Sequence, residues 1–207
     1  MHYLFEGVQN FQENDYVELK RLFEKIGYAQ YPHTLFISCC DSRLVPNLIT
    51  HTLPGEMFVV RNVANLVPIY RQSDDFLATT SAIEYAVMVL NVENIIVCGH
   101  SNCGGCKAVF AKEEDMRHLP HTKKWLELMA RVKGQIETLK FENDLERNRT
   151  TELMNVVEQM NHLLTYPYIE ERFKEGKLKI FGWHYNIETG EVCNFDTESG
   201  KFLPITK

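Results

Sequence analysis

The chain has 207 residues, 44% hydrophobic and 24% charged, which suits one sizeable folded core. Its formal charge of -6 and the lack of a basic stripe argue against nucleic acid, whose phosphates are held by clustered Lys and Arg. No apolar run reaches membrane-spanning length, and residues 1–15 lack the basic-then-apolar pattern of an export signal, so a cytoplasmic location is expected.

The first predicted element is a helix over 15–27. Tyr16, Leu19, Leu22, Phe23 and Ile26 recur at helical spacing, Asp15 with Glu18 makes a capping-box pattern, and Gly27 can end the helix. TLFIS (34–38) is short, apolar and β-prone, and MFVVRN (57–62) repeats that character after a Pro54–Gly55 turn. SAIEYAVMVL (81–90) reads as a helix with Ser81 as N-cap, and NIIVCGH (94–100) as another buried strand. Strands that are apolar throughout, alternating with helices, imply a parallel sheet covered on both faces. Residues 110–176 predict three helices with turns near Asn143 and Pro167, and residues 178–197 a hairpin around the turn ETGE. With no repeat and no linker-like stretch, the expectation is one α/β domain over 1–207. Its sheet should be mainly parallel and flanked by helices, with an extra antiparallel C-terminal strand.

In open α/β sheets, ligand sites lie at the carboxyl ends of strands. Two such ends carry polar clusters: SCCDSR (38–43) and CGHSNCGGC (98–106). If the two strands are neighbours, Cys39 or Cys40 faces His100 and Cys103 across one crevice. Two thiolates and an imidazole make a Zn²⁺ ligand set with a fourth position left open, and Gly99, Gly104 and Gly105 allow the tight turn that brings both ends of H-x-x-C to one ion. Six cysteines in a reducing compartment point the same way, towards metal binding or catalysis rather than disulfides.

Competing motifs fit less well. A phosphate loop would need lysine where Gly105 stands, and a cysteine phosphatase would need arginine where Val45 or Pro46 stands. Cys103 and Cys106 have redox-pair spacing without a second redox signature. Cys98, Cys106 and Cys193 read as small core hydrophobes. Asp41 and Arg43, taken alone, would be an ion pair or a helix cap.

Together, C-x-D-x-R at Cys39, Asp41 and Arg43 and H-x-x-C at His100 and Cys103 resemble the two signature blocks of the β-class carbonic anhydrases. The flanks PGEMFVVRNVANLVP (54–68), SAIEYAV (81–87), GHSNCGG (99–105) and FGWHYNIETGEV (181–192) are similar as well. The resemblance implies one Zn²⁺ per chain on Cys39, His100 and Cys103, with Cys40 a packing residue at the variable position. It implies reversible hydration of CO2 to bicarbonate and a proton, through hydroxide made on the zinc near neutral pH. That zinc brings the pKa of its water to about 7 is a known property of carbonic anhydrase rather than something read from these residues.

Arg43 is then expected to hold Asp41 as an acceptor beside the metal. Released, Asp41 would become a fourth zinc ligand and displace the water. The implied substrate pocket comprises Gln30, Phe58, Val63, Tyr85 and Gly104, completed by a second subunit. Residues 1–30 resemble an N-terminal helical arm that packs on that subunit ahead of an α/β core over 31–207, giving a homodimer, possibly a homotetramer. Arg61 and Tyr185 match a regulatory bicarbonate site of some members, but Phe36 stands where those carry tryptophan and has no N–H to offer. The alternatives are a CS2 or COS hydrolase on the same fold, a non-enzymatic zinc protein closed by Asp41, and a thiol redox protein.

Overall fold

The computed structural model describes residues 2–72 and 77–206. Six strands, β1 (Thr34–Cys39), β2 (Met57–Asn62), β3 (Asn94–His100), β4 (Lys179–Tyr185), β5 (Val192–Asp196) and β6 (Lys201–Pro204), make one sheet ordered β2-β1-β3-β4-β5-β6. The pairings β1–β2, β1–β3 and β3–β4 are parallel, and β4–β5 and β5–β6 antiparallel. From β1 the chain crosses to one side of the sheet and from β3 to the other. The crevice between the carboxyl ends of β1 and β3 is therefore the topological switch point, where ligands bind in such sheets.

The strands are apolar on both faces because both faces are covered. Leu35, Ile37, Ile95 and Val97 pack with Val156, Met160 and Leu163 of the helix Asp144–Leu163, while Phe36, Ile96 and Cys98 pack with Leu44 and Trp183 on the opposite side. The long helix starts at the expected turn, where the Asn143 side chain accepts from the Glu146 amide at 2.9 Å and so satisfies one of the free donors of the first turn. It lies very close to the sheet. A Cβ on Gly99 would come within 2.7 Å of Val156 Cγ2, and one on Gly182 within 2.9 Å of Val156 Cγ1.

Four expectations need correction. The first helix begins at His2, not at Asp15, which has helical dihedrals and makes no side-chain cap. The chain continues through wider turns over Phe11–Asp15, breaks at Leu19 and resumes over Lys20–Ile26. Apolar Tyr3, Phe5, Val8 and Phe11 carry the periodic stripe upstream, so the cap signal at Asp15 marked an interior position. Ser81 likewise lies within the helix Ala78–Glu84, its hydroxyl donating to the Ala78 carbonyl.

The region of three predicted helices is more broken before Asn143, with separate pieces at Glu113–Met116, Pro120–Leu126 and Ala130–Glu137. Proline opens the second of these. The C-terminal hairpin also gains a third strand, β6, reached through a turn with Gly200 at φ 67°.

Gly99→Ala should destabilise the metal-free protein by about 1–3 kcal/mol, because the new methyl must push the long helix off the sheet. Urea unfolding measures this, and unchanged stability would contradict the close seating.

Candidate metal centre

β1 ends at Cys39 and the neighbouring β3 ends at His100. Beyond His100 the backbone reverses through Asn102 at φ 57°, and Cys103 occupies the N-cap of the short helix Gly104–Ala108. The Cys39 and Cys103 sulfurs lie 3.9 Å apart, and these two atoms and an imidazole nitrogen of His100 all fall within 4.8 Å of one another. All three residues are buried.

His100 Nδ1 lies 2.9 Å from the Ser101 carbonyl, which can only accept, so the ring proton sits on Nδ1 and Nε2 carries the lone pair. Nε2 is buried without a hydrogen-bond partner. A buried, unpartnered nitrogen beside two thiols is the donor set of a borderline-soft cation, and these residues fit zinc.

Asp41 and Arg43 meet as expected. Arg43 Nε donates to Asp41 Oδ1 at 2.9 Å and Nη2 to Oδ2 at 2.7 Å, while the Arg43 amide adds a bond to Oδ1 at 3.0 Å. The side-chain bonds from Arg43 hold the Asp41 carboxyl well below the usual carboxylate range. Oδ2 is 3.8 Å from His100 Nε2, yet Asp41 is not one of the clustered metal donors. In this conformation Asp41 stands beside the centre, held by Arg43, and is not among the three clustered donors.

Arg61 donates to the carbonyls of Cys39 (3.1 Å), Asp41 (2.7 Å) and Leu44 (2.9 Å), clamping the loop after β1. Its guanidinium is thereby engaged with this loop. Phe36 is fully buried, edge-on to Trp183. Cys98, Cys106 and Cys193 are buried as expected, but Cys40 is exposed and so is not a packing residue. Cys40 lies just beyond the end of β1.

The pocket residues divide into two groups. Gly104 adjoins the candidate donor Cys103 and has open space at its Cα, and Val63 Cγ1 lies 2.9 Å from where a Cβ on Gly105 would stand. Val63 is thus held against the metal loop. Its own loop contains Ala64 at φ 62° and Asn65 at φ 50°. That unusual backbone is fixed by Asn62, whose side chain bonds both the amide and the carbonyl of Leu66 at 2.7 and 2.8 Å. Phe58 and Tyr85 face each other at 6.0 Å, and Gln30 is exposed ahead of β1. Among the described residues, no hydrogen bond or ring contact joins those three to the metal donors.

Two residues without a sequence signal also reach the centre. Glu152 accepts from the Cys103 amide at 3.0 Å, and His184 lies behind it with Nε2 at 3.2 Å from Glu152 Oε2. Glu152 sits in a charged helical run, and only its burial in the fold distinguishes it.

Residues 34–192 match the family described as carbonic anhydrase. A carbonic anhydrase of Helicobacter pylori strain J99 is 43% identical over 205 residues, covering 97% of this chain and 93% of that protein. Among solved structures, the β-carbonic anhydrase CcaA aligns with a TM-score of 0.92 at 34% identity over 99% of both chains. A tetrameric β-carbonic anhydrase from Sordaria macrospora aligns with a TM-score of 0.78 at 28% identity, over 93% of this chain and 95% of that one.

The thiols set the pH behaviour of metal uptake. Contact with Cys103, and then burial, pushes Cys39 up to about 12, and contact with Cys106 is the main cause that pushes Cys103 up to about 12. Both are therefore protonated at neutral pH before metal arrives. Zinc binding should release about two protons per chain, and affinity should fall about a hundredfold per unit drop in pH. An indicator titration in weak buffer measures the release, and a proton count near zero would contradict this centre.

Proposed function

The chain belongs to the β-class carbonic anhydrases, enzymes of the reversible hydration of CO2 to bicarbonate and a proton, and we propose that it works with one zinc ion per chain on Cys39, His100 and Cys103. The reading is carried by one observation: the buried, unpartnered Nε2 of His100 faces two thiols, while Arg43 holds Asp41 aside. When bound, the ion supplies Lewis acidity and makes water a nucleophile near neutral pH.

The chain's own residues orient the reaction. Asp41 stays ionised through the neutral range and presents Oδ2 beside the three donors, where it would accept a hydrogen bond from water and orient it for attack on CO2. Arg43 keeps that carboxylate from swinging onto the metal, and Arg61 fixes the loop that carries both. Val63 supplies apolar wall, and Gly104 leaves room for a substrate oxygen to approach the backbone.

Gln30, Phe58 and Tyr85 serve the pocket across a subunit boundary. In support, no hydrogen bond or ring contact joins the three to the candidate donors of their own chain, and no residue of His2–Ile26 is buried, as suits an arm that packs on a second copy. A homodimer is the minimum assembly, and the likeness to a tetrameric relative supports pairing of dimers. A cytoplasmic location accords with six free cysteines. No helix among the described residues is long and apolar enough to cross a membrane. A zinc site closed by Asp41 is not favoured, since that carboxylate is bound by Arg43, and family membership weighs against a CS2 or COS hydrolase.

The rate of CO2 hydration should depend on zinc and rise from about pH 6.5 to about pH 8.5, because two thiolates offset the ion's charge and leave its water less acidic than three imidazoles would. Asp41 contributes no titration in that window. Stopped-flow assays with a chelator-stripped control measure the profile, and a flat one would contradict the reading. Arg43→Ala should lower the rate about ten- to a hundredfold by freeing Asp41, and full activity in that variant would remove Arg43 from the mechanism.

A further inference from the structure

Behind Cys103 runs a buried polar chain that neither signature motif accounts for. Glu152 is 2% exposed and His184 is fully buried. Glu152 Oε1 accepts from the Cys103 amide at 3.0 Å, and Oε2 lies 3.2 Å from His184 Nε2. Arg149 Nη1 stands 2.7 Å from His184 Nδ1 and 3.0 Å from Nε2. A guanidinium only donates, and a carboxylate only accepts. The arrangement that satisfies every group therefore has Nδ1 accepting from Arg149 and the Nε2 proton donated to Glu152. Both carboxylate oxygens are engaged, each in a fixed direction.

The chain joins Cys103 to a tightly seated helix. Glu152 is mounted on the helix seated against Gly99 and Gly182, where there is no room for a methyl group. Cys103 itself lies between left-handed Asn102 and the helical pair Gly104–Gly105, with Gly105 packed against Ala64 and Val63. The Cys103 amide ties this stretch to the helix, as the Asn102 carbonyl ties it to Arg43 at 3.3 Å. A buried carboxylate is costly unless its charge is matched, and removing it would leave the Cys103 amide buried and unsatisfied.

We propose that Glu152, oriented by His184, is a positioning residue for the metal ligand Cys103, fixing its amide and with it the direction of the thiolate. This rests on the metal centre proposed above and adds a second layer to it. Its signature is retention of metal rather than stability of the fold.

The test compares the zinc-loaded native protein with Glu152→Met, His184→Leu and His184→Gln. Methionine keeps the size of Glu152 without an acceptor, and leucine removes both roles of His184. Glutamine can still accept from Arg149 and donate to Glu152. Zinc release to a chelator and the thiolate-to-metal absorption band of the cobalt-substituted protein are read beside thermal unfolding of the metal-free forms. Glu152→Met and His184→Leu should release zinc about ten- to a hundredfold faster and shift the cobalt band, with His184→Gln staying within about threefold of native.

Native-like release from Glu152→Met or His184→Leu would overturn the proposal, as would a His184→Gln variant as leaky as His184→Leu. Should Glu152→Met not fold, the two His184 variants decide the question. A native protein that showed no cobalt–thiolate band would overturn the metal-centre reading itself. A native band that the variants leave unchanged would overturn only the role of Glu152.

Discussion

The adjacency of two parallel strand ends is the constraint on which the site depends. Cys39 and His100 are 61 positions apart in the sequence, and they meet because β1 and β3 pair side by side as far as Ser38 and Cys98 and end just beyond. The chain turns opposite ways out of the two strands, leaving a crevice that no crossover helix covers. The third donor returns to the same point through the left-handed Asn102. Everything else near the centre can be understood as holding these three donors still in a small buried volume.

That volume is crowded with acidic groups, and each is matched. Cys39 and Cys103 are thiols at neutral pH without metal, so they carry no charge until an ion displaces their protons. Asp41 is matched by Arg43, and Glu152 by the His184 proton backed by Arg149. Arg61 serves the backbone, taking three carbonyls of one loop with a single guanidinium. Arg43 and Arg61 thus act on one loop, the first on the Asp41 carboxylate and the second on the backbone that carries it. The geometry near the metal is set by charge-assisted bonds, which are shorter and more directional than neutral ones.

The three clustered candidate donors and the Asp41–Arg43 pair were legible in the sequence because they fall in two short motifs, each at the end of an apolar run. The choice of Cys39 over Cys40 was not legible from residue type, and came from the family resemblance. In the fold, Cys39 is the last residue of β1 and buried, while Cys40 lies just beyond it and exposed. Burial also separates Glu152 and His184 from their neighbours. Nothing in a run such as RTTELMN distinguishes a glutamate that meets a metal ligand from one that meets water. The helix starts at Asp15 and Ser81 were misjudged because capping residues in the middle of a helix look the same as those at its end. The strand β6 was missed because KFLP is short and its turn, TESG, carries no strong hairpin dipeptide.

X-ray absorption at the zinc edge of the loaded protein at neutral pH tests the central claim most directly. The account predicts two sulfurs at about 2.3 Å, one nitrogen at about 2.0–2.1 Å and one further light atom that exchanges with added anions. A third sulfur, or a single one, would contradict the assignment of Cys39, His100 and Cys103 as the complete protein ligand set. So would a fourth ligand that no anion displaces.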